Sequence, residues 1–161
     1  MAATGGASGG PVRPLVALGL ATVAFVALLI FGLGMVSLIL EEDVVEVPGL
    51  GQIPGVFATA VTVGAFALVL WLGLRAPKRS YWTALWAAVA CYLVYVGGMW
   101  IGALVAGGAF SIAAEVAGRI ATTWFGAVVA AAAAVSAWGG IALSRTRAER
   151  PRWPWEDEFD E

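Results

Sequence analysis

Four long apolar runs, separated by short polar breaks, set the pattern of this chain. Leu15–Leu40, Pro54–Leu74, Tyr81–Ala106 and Ile120–Leu143 hold no Asp, Glu, Lys or Arg. They are apolar on all sides, without the alternation of a half-buried strand or the single stripe of a surface helix. A helix needs about 20 such residues to cross a hydrocarbon core roughly 30 Å thick. The pattern therefore predicts membrane-spanning helices over about 15–40, 54–74, 81–106 and 119–144. Pro14 suits the first turn of the first helix, where its missing N–H has no helical partner. Ser80 suits the N-cap of the third. The first run is much longer than the about 7–15 apolar residues of a secretory signal, so it reads as an uncleaved anchor.

The breaks differ in character. Residues 41–52, EEDVVEVPGLGQ, are acidic, with Glu41, Glu42, Asp43 and Glu46 and no base. Oxygen ligands of this kind suit a divalent cation, but the ligand spacing of an EF-hand is absent, and the stretch reads as a solvated outer loop. Residues 75–80, RAPKRS, are basic. Gly107-Gly108 interrupt the third run, and AFSIAAEVAGR after them reads as an outer turn or an early start to the fourth helix. The last stretch, SRTRAERPRWPWEDEFDE, is basic, then aromatic, then acidic. Pro151 and Pro154 keep it from being one helix.

Charge orients these segments. Of the nine bases, Arg119 alone borders the fourth run on the side of the acidic loop. Arg13, Arg75, Lys78, Arg79, Arg145, Arg147, Arg150 and Arg152 share the other side if there are four spans. Such a bias marks the cytoplasmic side. The expected fold is thus all-α, an integral membrane four-helix bundle with both termini cytoplasmic. It consists of an N-terminal tail (1–13) expected to be disordered, a transmembrane domain (14–144) and a cytoplasmic tail (145–161). The expected location is the bacterial inner membrane, multi-pass.

Composition narrows the chemistry. The chain has 161 residues, 61% of them hydrophobic, with no histidine and one cysteine, Cys91. That removes His-ligated haem, Ser-His-Asp catalysis, His-containing zinc sites and any intrachain disulfide. No nucleophile–base pair, cofactor motif or nucleic-acid footprint is visible, so neither an enzyme, a cofactor nor a nucleic-acid partner is expected. A proton-coupled carrier needs ionisable groups at depth, and the four runs lack them.

The candidate sites lie at the margins. Glu115 and Arg119 stand four apart, acid first, as a helical ion pair prefers. They would guard an outer cavity or form an interfacial pair worth well under about 1 kcal/mol; the second reading is favoured because the fourth run spans without them. In the tail, Arg150, Arg152, Trp153, Trp155 and Glu156 form a candidate interaction segment. Arginines there gain about 1 kcal/mol each from anionic lipid, and the acidic end would point into the cytoplasm towards a partner. Among the deep polar residues, Tyr95 is expected level with Thr62 and facing it, with Ser136 near the depth of Tyr92. These read as hydrogen bonds holding the helices together. Small residues recur every fourth position at Gly98, Gly102 and Ala106, at Gly126, Ala130 and Ala134, and at Ala60 and Gly64, which fits close helix packing and also self-association into a homo-oligomer.

The four-span layout, the acidic EEDVVEVPG after the first helix and the tail RPRWPWEDE together resemble a family of small uncharacterised bacterial four-helix membrane proteins, a domain of unknown function. The resemblance runs from about Leu15 to the end and is most specific at RPRWPWE, Arg150–Glu156. It implies four membrane helices and no established activity, and it carries over no residue roles. The residues themselves point to an accessory or scaffold subunit without enzymatic activity, held in the lipid bilayer and meeting a membrane or cytoplasmic partner through its tail. The alternative is a small transporter or channel formed by oligomers.

Overall fold

The structure is a computed structural model that describes residues 13–41, 51–76 and 80–145. Among these it is all-helical: α1 (Pro14–Leu40), α2 (Ile53–Arg75), α3 (Trp82–Val105), α4 (Phe110–Thr122) and α5 (Trp124–Arg145). Helices α1, α2, α3 and α5 are each long and apolar enough to cross a membrane. Residues 1–12, the greater part of the acidic stretch and the tail from 146 lie outside the described residues.

Local chemistry sets the ends. Proline occupies the first turn of both α1 and α2. Ser80 does act at the start of α3, where its Oγ accepts the N–H of Trp82 at 3.3 Å. Ala76, extended at φ −62° and ψ 140°, ends α2 just before Pro77, which disfavours a helical predecessor. At the end of α3, Gly107 takes φ +88°, its N–H reaches Leu104 O, and the N–H of Gly108 reaches Ala103 O. This is the paired closure that a left-handed glycine allows, and it satisfies carbonyls that the helix leaves open.

One expectation needs correction. The fourth helix does not run from 119 to 144. It starts at Trp124, and a separate helix, α4, precedes it. The break is Thr123, extended at φ −102° and ψ 172°. Both its N–H (3.0 Å) and its hydroxyl (2.7 Å) donate to Arg119 O. A threonine whose hydroxyl competes for backbone in this way favours a helix end over a helix interior.

Helix α3 packs against α2, α5 and α4, while α1 packs mainly on α5. The α2–α3 pair is antiparallel and close. A Cβ added at Gly98 would lie 2.9 Å from Ala58 Cα, and one at Gly102 would lie 2.7 Å from Pro54 Cα. Between helices in lipid, this backbone approach replaces the hydrophobic drive that water would supply. The seam uses Gly98 and Gly102 as expected, but on α2 it uses Pro54 and Ala58. Ala60 and Gly64 are exposed. The buried residues of α2 recur strictly every fourth position, Pro54, Ala58, Thr62, Phe66, Leu70 and Leu74, as one helix ridge seated along its neighbours. Helix α1 follows the same spacing with Ala17, Ala21, Phe25 and Leu29. At mid-height Phe25 and Phe66 stack with centroids 4.4 Å apart.

One end of the packed helices is basic. The guanidinium of Arg75 lies 4.2 Å from the centre of the Trp71 ring, and that of Arg145 lies 4.5 Å from the Tyr81 ring. The second pair ties the end of α5 to the start of α3. Trp82 and Trp86, both strongly exposed, stand near the same end, where indoles suit a membrane–water boundary.

Candidate functional site

The feature least like a plain set of spanning helices is the elbow from α3 through α4 to α5. Helix α4 has 13 residues, about 20 Å, and is too short to cross a bilayer. It lies antiparallel beside α3. Phe110, at its start, meets Trp100 edge to face at 5.6 Å, and Ala121, near its end, meets Tyr92. It therefore occupies the depth of the half of α3 away from the basic end. Ala113, Val116 and Ile120 turn inward, while Ser111, Glu115, Gly118 and Thr122 are exposed. This two-sidedness contrasts with the all-round apolar character of the other helices.

The break at Thr123 would leave backbone carbonyls of the last turn of α4 without helical partners, as every helix end does. Three side chains serve carbonyls here: the Thr123 hydroxyl donates to Arg119 O, as above, the Thr122 hydroxyl to Gly118 O at 2.9 Å, and the Tyr92 hydroxyl to Ala121 O at 2.9 Å. Gly126 makes the bend fit. A Cβ there would lie 2.6 Å from Ile120 O and 2.8 Å from the Tyr92 ring.

Glu115 and Arg119 both fall on α4, one turn apart, with Glu115 exposed and Arg119 half-buried. Arg150, Arg152, Trp153, Trp155 and Glu156 lie outside the described residues. The deep polar residues pair differently from expectation. Tyr95 is buried with Thr62, but its hydroxyl shares a hydrogen bond with Thr59, and the Thr62 hydroxyl turns back to Ala58 O at 2.7 Å. Tyr92 reaches α4 and the start of α5, not the level of Ser136. The role of Thr123 escaped sequence reasoning. Its available signal was the Thr122-Thr123 pair following a one-sided apolar pattern.

Among the described residues no three carboxylate or cysteine groups gather as metal ligands. What the elbow can do is present a carboxylate, a guanidinium and several hydroxyls on one helix beside α3.

The chain matches the sequence profile of a Family of unknown function (DUF6121) over residues 13–161. It belongs to that family. The DUF6121 match takes in all five helices and agrees with the resemblance to a domain of unknown function. No curated protein and no solved structure matches the chain.

Proposed function

We propose that this DUF6121 chain is an accessory or scaffold subunit of a bacterial inner membrane, without catalysis of its own, with four helices crossing and both termini in the cytoplasm. The observation that carries the reading is the filled interior. Phe25, Phe66, Phe125, Tyr95 and Met99 are fully buried between the helices. The buried polar side chains among the described residues outside the tyrosines are Thr62, Ser136 and Ser144, and the hydroxyls of Thr62 and Ser144 serve carbonyls of their own helices. An interior so filled offers a solute no polar path through one copy, and transport needs such groups at depth. The basic end, with Arg75 and Arg145 on aromatic rings, supports the cytoplasmic assignment of that end.

A second reading is a small transporter or channel assembled from several copies. The exposed face of α4, with Ser111, Glu115 and Thr122, favours it, because polar faces of neighbouring copies could line a shared path. Two measurements on one preparation separate the readings. Protein recovered in mild detergent from its own membranes should bring a partner in fixed ratio. The same protein in sealed vesicles should raise ion and small-solute flux no more than empty vesicles. Flux that rises with protein density and falls in Glu115→Gln would replace the scaffold reading with the channel.

A further inference from the structure

Between α1 and α5 an apolar groove of about 440 Å³ opens on the surface, walled by Leu20, Ala24 and Leu28 of α1 and Trp138, Gly139 and Leu143 of α5. Missing side chains hollow it, for a Cβ at Gly139 would meet nothing within 4 Å. Two contacts fix the antiparallel register of its walls. A Cβ at Gly140 would lie 2.9 Å from Ala21 Cβ and 3.7 Å from Ala17 O, and one at Gly32 would press on Val128. The second contact brings the helices together one turn beyond Leu28 and closes the groove at that end. The groove is thus about 12 Å long, from Leu20 to Leu28 along α1. One leaflet is roughly 15 Å deep, half of a hydrocarbon core about 30 Å thick. A spanning partner helix would want a furrow across the full thickness, whereas one lipid chain fits this length.

The other end of the groove is positive. Carried along the seam, the register sets Leu143 about level with Ala17. Arg13 lies one turn further, about 6 Å, which matches the about 5–7 Å of a headgroup layer. At about 100° per residue, Leu20, Ala24 and Leu28 all point within about 60° of the direction of Arg13, so this exposed arginine stands over the mouth. Arg13 is also the N-cap of α1, which no side chain caps, and the helix dipole adds partial positive charge there. Arg145, on the Tyr81 ring, adds charge at the same end.

We propose that this groove seats one anionic phospholipid of the leaflet at the basic end, with an acyl chain along α1 and α5 and the phosphate on Arg13 and the first turn of α1. The proposal rests on the helices crossing the membrane, and neither on the scaffold role nor on which end is cytoplasmic.

The test uses the full chain in vesicles of phosphatidylethanolamine and phosphatidylglycerol, with a trace of phosphatidylglycerol carrying a diazirine on one acyl chain. After irradiation, peptide mass spectrometry should find the label concentrated on the groove walls, above the equally exposed Leu68 and Leu72 of α2. The same diazirine on phosphatidylethanolamine should show no such excess. Arg13→Gln should cut the excess about fivefold, the ~1 kcal/mol of one arginine beside anionic lipid. Arg75→Gln, at the same end but on α2, should change it less than twofold. Gly139→Leu and Ala24→Leu fill the groove from either wall and should abolish the excess while circular dichroism stays unchanged. Even labelling of all four helices overturns the proposal. So does an excess equal for the two lipids, one that survives both filling variants, or a loss as large in Arg75→Gln as in Arg13→Gln, which would mean attraction to the charged end as a whole.

Discussion

The Tyr92 hydroxyl donates to the carbonyl of Ala121, 2.9 Å away, and so ties the middle of α3 to the last turn of α4. The two residues are far apart in sequence, and their bond closes the elbow at the point where the helix breaks. Tyr92→Phe keeps the ring and removes the donor. It should lower stability by about 1–2 kcal/mol, the cost of a partly buried carbonyl left open. Reversible unfolding in mixed micelles measures this. A loss below about 0.3 kcal/mol would mean that the carbonyl finds another partner.

The bend also depends on a missing side chain. Gly126→Ala would push a methyl against Ile120 O and the Tyr92 ring. Overpacking of this kind costs about 1–3 kcal/mol. Gly118→Ala, on the open side of α4, should be neutral or slightly stabilising, since nothing lies within 4 Å of its added Cβ. Melting midpoints of the two variants, compared in one detergent, should separate clearly.

The α2–α3 seam makes a similar contrast. At Gly102 and Gly98 the added Cβ meets backbone atoms of Pro54 and Ala58, which cannot swing aside. Gly102→Ala should destabilise by about 2–3 kcal/mol, whereas neighbouring Gly97→Ala, with open space, should not. Equal midpoints for the two variants would show that the helices sit further apart.

Much of this architecture is legible in the residues. Pro14, Pro54, Ser80 and Gly107 mark helix ends through chemistry that acts within a few residues, and the uncharged runs become four helices long and apolar enough to cross a membrane. The elbow is harder to read. AFSIAAEVAGRI is one-sided only when read at helical period, with Ala113, Val116 and Ile120 inward, and the end of the helix depends on a threonine that would be tolerated inside one. Depth counted along straight helices puts Tyr95 level with Thr62, and both are indeed buried there. Which hydroxyl Tyr95 then meets is decided by rotation about the helix axis, and Thr59 is the one turned towards it. The same counting fails for Tyr92, because α4 lies alongside α3 and supplies a nearer acceptor.

The Tyr95–Thr59 hydrogen bond can be isolated by a double-mutant cycle. Tyr95→Phe and Thr59→Ala should couple by about 0.6 kcal/mol, the average for such bonds in membranes. Tyr95→Phe with Thr62→Ala should show no coupling, since the Thr62 hydroxyl serves its own helix. Coupling to Thr62 and not to Thr59 would require α2 to be rotated from its position here.

Four crossings with the basic end in the cytoplasm leave each connection on a fixed side of the membrane. Single cysteines decide this in a Cys91→Ala background, labelled with an impermeant reagent on intact cells and again after permeabilisation. Gln52→Cys and Gly108→Cys should react from outside. Ser80→Cys and a cysteine added after Glu161 should react only once the membrane is opened. A Ser80→Cys that labels in intact cells, or a C-terminal cysteine on the opposite side from Ser80, would contradict four crossings with α4 folded back beside α3.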